Sequence, residues 1–190
     1  KMAPDNLSPE LLEKYINLPI SASTLSRMVS EKQLNGDNVK SYEKVMEESY
    51  RMYINNHKKV WIKFFEILLR SNKRPIIFHC SAGKDRTGIA SFMIQSIFNN
   101  HIDKIFENYL ISNNLLTIKA ATAEQKTNSS KQDTLVTKNM LITLGKVKKS
   151  YLNAAIDEIE KNYCSLENYF ISQLGLKHND IQKIQKIFGN

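Results

Sequence analysis

Ile76-Ile77-Phe78-His79-Cys80-Ser81-Ala82-Gly83-Lys84-Asp85-Arg86-Thr87-Gly88 joins a continuous apolar run to one cysteine, a short polar loop and the opening of a helix. An apolar run of this length reads as a central strand covered on both faces. Cys80 and Arg86 stand six positions apart. That spacing lets the intervening amides curl around a tetrahedral anion while the guanidinium closes the ring opposite the sulfur. Gly83 and Gly88 suit such a loop, because one position must turn its N–H inward without a Cβ and another must allow close approach of the helix.

A free cysteine titrates near pH 8.5 and is mostly protonated at neutral pH, so a sulfur nucleophile needs help. Inward amides, the positive end of the helix beginning near Thr87 and the charge of Arg86 all favour the thiolate. The same groups would bind a dianionic phosphoryl group. Two other loop chemistries do not fit. A nucleotide-binding Walker A loop needs Ser or Thr after Gly83-Lys84, where Asp85 stands, and a glycine where Phe78 stands. A sulfurtransferase loop is usually shorter and lacks the Gly-Lys-Asp-Arg-Thr-Gly tail.

With His79 before Cys80 and Gly-Lys-Asp-Arg-Thr-Gly after it, the segment carries the Cys-x5-Arg signature and resembles the bacterial tyrosine and lipid phosphatases of the His-Cys-x-x-Gly-Lys-Asp-Arg-Thr-Gly type. The resemblance implies that Cys80 attacks phosphorus and forms a cysteinyl-phosphate. Arg86 then holds two phosphoryl oxygens in a fork, Thr87 stabilises the leaving thiolate and His79 orients the loop. Ser81, Ala82, Gly83, Lys84, Asp85 and Arg86 form the phosphate-binding loop, with Lys84 placing charge at the pocket mouth. It implies no cofactor and no metal. The chain has no Trp-Pro-Asp triplet, where other tyrosine phosphatases carry their proton donor. Asp85 is the acid in the look-alike family, and Asp37, in a glycine-containing loop upstream, is the rival. Looser likeness continues through Asn108 to Asn113, Tyr151 to Ile159, Tyr163 to Tyr169 and Leu174-Gly175-Leu176, with Cys164 standing where the family commonly has glycine.

Outward from the loop, Val45, Met46, Met52, Tyr53, Val60, Trp61, Phe64, Phe65, Leu68 and Leu69 recur at three and four, which predicts one long helix or two consecutive ones between Ser41 and Leu69. Thr87 to Phe98 is apolar on most sides and predicts a buried helix. Asp103 to Ile118 reads as a further helix, and Tyr151, Leu152, Ala155, Ile156 and Ile159 form the next stripe. Ser165 and Asn179 are candidate caps for the last two helices, with Gly175 between them. Ser8-Pro9-Glu10 is a helix-start cue, whereas Lys14 to Ile20 alternates and reads as a short strand. Residues 119–140, rich in polar residues without an apolar period, read as a flexible or lid-like insertion.

The expected architecture is therefore α/β and helix-rich: a small central sheet flanked by helices in a single phosphatase-like domain over residues 1–190. Such phosphatases carry an earlier strand and an Asp-Leu-Arg-like motif, so the N-terminal part of the sheet is expected to be missing from this chain. At 190 residues one domain can bury a sufficient core without staples, and only Cys80 and Cys164 occur, so a disulfide framework is not expected. With 42% hydrophobic and 24% charged residues the composition is that of a globular chain. The net charge of +8 is spread along it, favouring anionic partners in general and leaving contact with an anionic membrane open. Nucleic acid is not expected as a partner. Two function classes stand: a cysteine-dependent phosphomonoesterase acting on phosphotyrosine proteins, with dual-specificity or phosphoinositide activity open, and an inactive phosphatase-fold module that holds phosphorylated ligands. Compartment and oligomeric state are not legible.

Overall fold

The computed structural model describes residues 8–21, 39–114 and 138–189. Its helices, in chain order, are α1 (Pro9–Glu13), α2 (Val39–Asn55), α3 (Lys58–Arg70), α4 (Asp85–Ile97), α5 (Ile102–Leu110), α6 (Lys138–Gly145), α7 (Lys149–Tyr163), α8 (Leu166–Ser172) and α9 (His178–Phe188). The 41–69 stripe resolves into two helices, broken at Asn56-His57. The indole of Trp61 donates to the carbonyl of Tyr53 across the break at 2.8 Å, so the corner has a side-chain clasp.

Helix α4 lies at the centre because it has almost no polar side. Ile89, Ala90, Phe92, Met93 and Ile97 are all buried, and α5, α7 and α9 pack around it. Helix α2 lies mainly along α7, with Tyr42, Val45, Met46, Tyr50, Tyr53 and Ile54 inward. Polar clasps tie the layers together. The Tyr169 hydroxyl donates to the Ile54 carbonyl at 3.0 Å, and the Gln185 amide donates to the Ile97 carbonyl at 2.6 Å. Asn113 pairs both of its amide atoms with the backbone of Val147, at 2.8 and 2.9 Å, bringing the chain after α5 to the start of α7.

The expected α/β architecture with a central sheet is corrected: among the described residues the fold is helical and contains no strand. An extended segment becomes a strand only when its N–H and C=O groups ladder with another. Arg74–Cys80 has no such partner among the described residues and is not covered on both faces. Ile76, Phe78 and Cys80 are half-buried while Ile77 is 91% exposed, the alternation that period-two geometry imposes. Phe78 packs edge-on against Phe64 with ring centres 5.4 Å apart. The apolar run is thus one-sided, and its parity places Cys80 on the side facing the helices. Lys14–Ile20 is likewise not a strand. Only Tyr15, Leu18 and Ile20 of that segment are sheltered, and Tyr15 lies against the ring of His79.

Helix ends follow local chemistry. Ser165 accepts from the amide of Asn168 at 3.1 Å, as expected of a cap. The last helix is capped at Lys177, two residues before Asn179, and there the Asp180 carboxylate accepts from the Lys177 amide at 2.9 Å. Cys164 ends α7 with φ +65°, so the left-handed conformation normally given to glycine is held here by a cysteine, and its side chain is exposed. The expected insertion at 119–140 falls mostly outside the described residues, as does Asp37; residues 138–140 begin α6.

Gly88 permits a close approach, although to a helix rather than a strand. A Cβ there would lie 2.7 Å from Cε2 of Tyr109 on α5. Gly88→Ala is expected to destabilise the protein by about 1–3 kcal/mol through overpacking, which chemical denaturation would measure.

Candidate active site

The loop from Ser81 to Lys84 connects Cys80 to α4. Gly83 makes the turn with φ +68°, and the first helical bond runs from the Gly88 amide to the Lys84 carbonyl at 2.8 Å. Ser81, Ala82 and Gly83 are exposed, whereas Cys80, Asp85, Arg86 and Thr87 are half-buried. Burial alone pushes the Cys80 thiol up. The Thr87 hydroxyl and amide, the Arg86 charge and the Lys84 amide outweigh it, so the thiol lies below its ordinary value. Thr87 Oγ1 is buried with no hydrogen-bond partner among the described residues, so its proton is uncommitted beside the thiol whose anion it favours.

Arg86 is fixed from outside the loop. Its Nη1 donates to the carbonyl of Ile20 at 2.8 Å, while its Nε is buried without a partner among the described residues. The segment read as a strand therefore serves as a backbone bracket for the guanidinium. His79 is exposed, its Nδ1 3.3 Å from the carbonyl of Cys80, in reach of an orienting contact with the loop.

Lys84 departs from expectation. It is only 5% exposed and gives no charge to a pocket mouth. Its ammonium donates to both carboxylate oxygens of Asp85 at 2.8 Å. Asp85 accepts a further bond at Oδ1, from the hydroxyl of Tyr50 on α2 at 2.8 Å, and that hydroxyl lies 2.6 Å from the hydroxyl of Tyr109.

The sequence reading missed this tyrosine layer. Tyr50 and Tyr53 lie three apart on one face of α2, and His57, at the break after that helix, has its ring 6.5 Å from the ring of Tyr53. His57 is half-buried, and burial together with the Arg86 charge lowers its pKa. Tyr53 is pushed up to about 12 by burial and by the Asp85 charge. Both groups thus stand within electrostatic reach of the loop. A polar hollow of about 160 Å³ adjoins the site between α4 and α5, lined in part by Gly83, Lys84, Thr87, Ser91, Asn108 and Tyr109; neither Cys80 nor Arg86 lines it, so it is not the seat of an anion held by the loop.

A half-buried thiol held toward its anion beside the Lys84 and Thr87 amides and a bracketed guanidinium brings the chemistry expected of a cysteine nucleophile together. Comparison with known proteins identifies the family. The sequence pattern of the tyrosine phosphatase family matches residues 2–189, and the chain belongs to that family. A protein of Cupriavidus necator named as a tyrosine-protein phosphatase is 32% identical over 96 residues. That match takes in 50% of this chain and 34% of the relative, so the chain corresponds to about a third of that protein's length.

Cys80 is expected to react with iodoacetamide with a midpoint below that of an ordinary thiol, because the depressed value keeps sulfur charged to lower pH. Thr87→Ala should move the midpoint upward. Mass-resolved labelling across pH, with exposed Cys164 as the internal reference, measures both.

Proposed function

We propose that this chain is a phosphomonoester hydrolase acting first on phosphotyrosine in proteins, through a cysteinyl-phosphate. The observation that carries the reading is the lowered thiol of Cys80 in one loop with an Arg86 whose guanidinium is already bracketed by Ile20. The Cys80 thiolate attacks phosphorus as the P–O bond to the leaving phenol breaks, and Asp85 gives the phenolate a proton. Water then attacks the phosphorus, Asp85 takes its proton, and the thiolate leaves with inorganic phosphate. Arg86 holds phosphoryl oxygens with N–H groups not committed to Ile20, and the orphaned Nε–H is one donor such an oxygen would satisfy.

Asp85 is preferred to Asp37 as the acid because it sits beside Arg86 at the start of α4. Phosphotyrosine is preferred to a phosphoinositide because Lys84, the residue that would meet a second phosphate, is buried and occupied by Asp85. The inactive-module alternative is disfavoured because thiol, arginine and carboxylate are all present in one loop.

Cys80→Ser is expected to abolish nearly all hydrolysis of an aryl phosphate, measured without added metal, while phosphate binding is retained. Parent-like turnover by that variant would rule out a sulfur nucleophile. Asp85→Asn is expected to slow phenyl phosphate by roughly 10²-fold or more, and to slow p-nitrophenyl phosphate less, because the better leaving group needs less protonation. A leaving-group-dependent loss in Asp37→Asn, with a uniform loss in Asp85→Asn, would reassign the acid.

A further inference from the structure

We infer that Tyr50 and Tyr109 form a buried positioning pair that holds Asp85 in register through both halves of the reaction. The inference rests on the reading of Asp85 as the acid.

Tyr50 is completely buried and Tyr109 is 5% exposed, so neither hydroxyl has water to fall back on. A hydroxyl has one proton to give. Tyr50 gives its own to Asp85 Oδ1, so in the 2.6 Å contact between the two phenols Tyr109 must be the donor. The result is a directed chain, Tyr109 to Tyr50 to the carboxylate. When Asp85 carries its proton on Oδ2, both bonds persist: Tyr50 still donates to Oδ1, and Tyr109 still donates to Tyr50. The same heavy-atom positions therefore satisfy the charged and the neutral carboxyl. An acid that must lose a proton in one step and regain it in the next needs that property, since reorganisation at the moment of reaction is avoided.

The phenols do not themselves supply the proton. Burial pushes both well above the ordinary tyrosine range, so they remain neutral and act through Asp85. Their placement is built into the helix packing. Tyr50 comes from α2, and its ring is set among Tyr53, Tyr109 and Tyr151 at centroid distances of 5.8, 6.5 and 6.0 Å. Tyr109 comes from α5, and its ring fills the space that Gly88 leaves open on α4. Lys84 holds Asp85 from the other side, and its positive charge favours the carboxylate over the neutral acid, whereas a neutral hydroxyl can donate to either. The tyrosine chain is the element that serves both protonation states.

Tyr151 provides the control. Its ring joins the same cluster, but its hydroxyl is buried with no partner among the described residues. Steady-state turnover of phenyl phosphate and p-nitrophenyl phosphate would be compared in Tyr50→Phe, Tyr109→Phe, Tyr151→Phe and Asp85→Asn, each checked for folding by thermal denaturation. Tyr50→Phe is expected to lower kcat for phenyl phosphate about tenfold, a fraction of the acid's own contribution, with KM nearly unchanged and a smaller loss on p-nitrophenyl phosphate. Tyr109→Phe keeps the ring over Gly88 and should show the same signature more weakly. Tyr151→Phe should show none.

Equal losses on both substrates, or a change confined to KM, would overturn the pair's role. So would Tyr50→Phe and Tyr109→Phe behaving like Tyr151→Phe while Asp85→Asn keeps its leaving-group dependence, and that outcome removes the pair alone. If Asp85→Asn lacks the dependence, the acid reading falls and takes the pair with it. Should Tyr50→Phe fail to fold, Tyr109→Phe decides by the same criteria.

Discussion

A helix that is apolar on nearly every side is stable only when other elements enclose it. Helix α4 is such a helix, and its enclosure by α5, α7 and α9 fixes the direction in which its first turn points. The loop that ends at Lys84 can then hold its amides toward Cys80 because the far end of that loop cannot move. Gly88 sharpens the constraint, since the ring of Tyr109 lies closer to its Cα than any side chain would permit. The near end is fixed separately, by Phe78 against Phe64 and by the one-sided burial that directs Cys80 inward. Shape at the loop is thus a consequence of packing remote from it, and the turn at Gly83 supplies only the local freedom.

Much of the loop was legible because its residue types have few alternatives. A cysteine, two glycines and an arginine at fixed spacing restrict the chemistry more than any helical stripe does, and they fall on the end of the extended segment, one short loop and the first turn of α4. The break between α2 and α3 was half legible: periodicity allowed one helix or two, and the deciding Trp61 clasp acts across eight residues, beyond what a stripe encodes. The sheet was misread for a definite physical reason. Ile76-Ile77-Phe78 is equally apolar at each position, so composition cannot say whether one face or two are covered, and strand identity depends on a partner that a single segment does not contain. Lys84 was misread similarly. Lysine usually seeks solvent, and only the adjacent Asp85 carboxylate, met in a buried geometry, overrides that preference.

Arg86 shows how an exposed-looking segment acquires a role that its pattern does not announce. Arginine has five N–H groups in a rigid plane, and a lone guanidinium beside a loop would sample many orientations. The carbonyl of Ile20 takes one of them at 2.8 Å and so fixes the plane while leaving other donors uncommitted. A backbone carbonyl suits this task, because it cannot titrate and its neutral dipole leaves the positive charge for an anion. A carboxylate in the same place would neutralise the arginine and raise the Cys80 thiol.

The polar layer behind the loop argues against a purely structural origin. Tyr50, Tyr109, Lys84 and Asp85 carry several buried polar atoms that an apolar set of similar volume would pack without needing any hydrogen bond, and buried ion pairs are often replaceable at no loss of stability. Tyr151 shows that this region tolerates a tyrosine hydroxyl with no partner among the described residues, so packing alone does not require the phenols to meet. What distinguishes Tyr50 and Tyr109 is direction: their hydroxyls form one chain that ends on a carboxylate oxygen at the first residue of α4. Its assembly from α2 and α5, elements far apart in sequence, demands that both helices hold their register against α4. That demand is met by the same Tyr109–Gly88 contact that fixes the loop, so the packing that shapes the anion site also aims the groups behind its carboxylate.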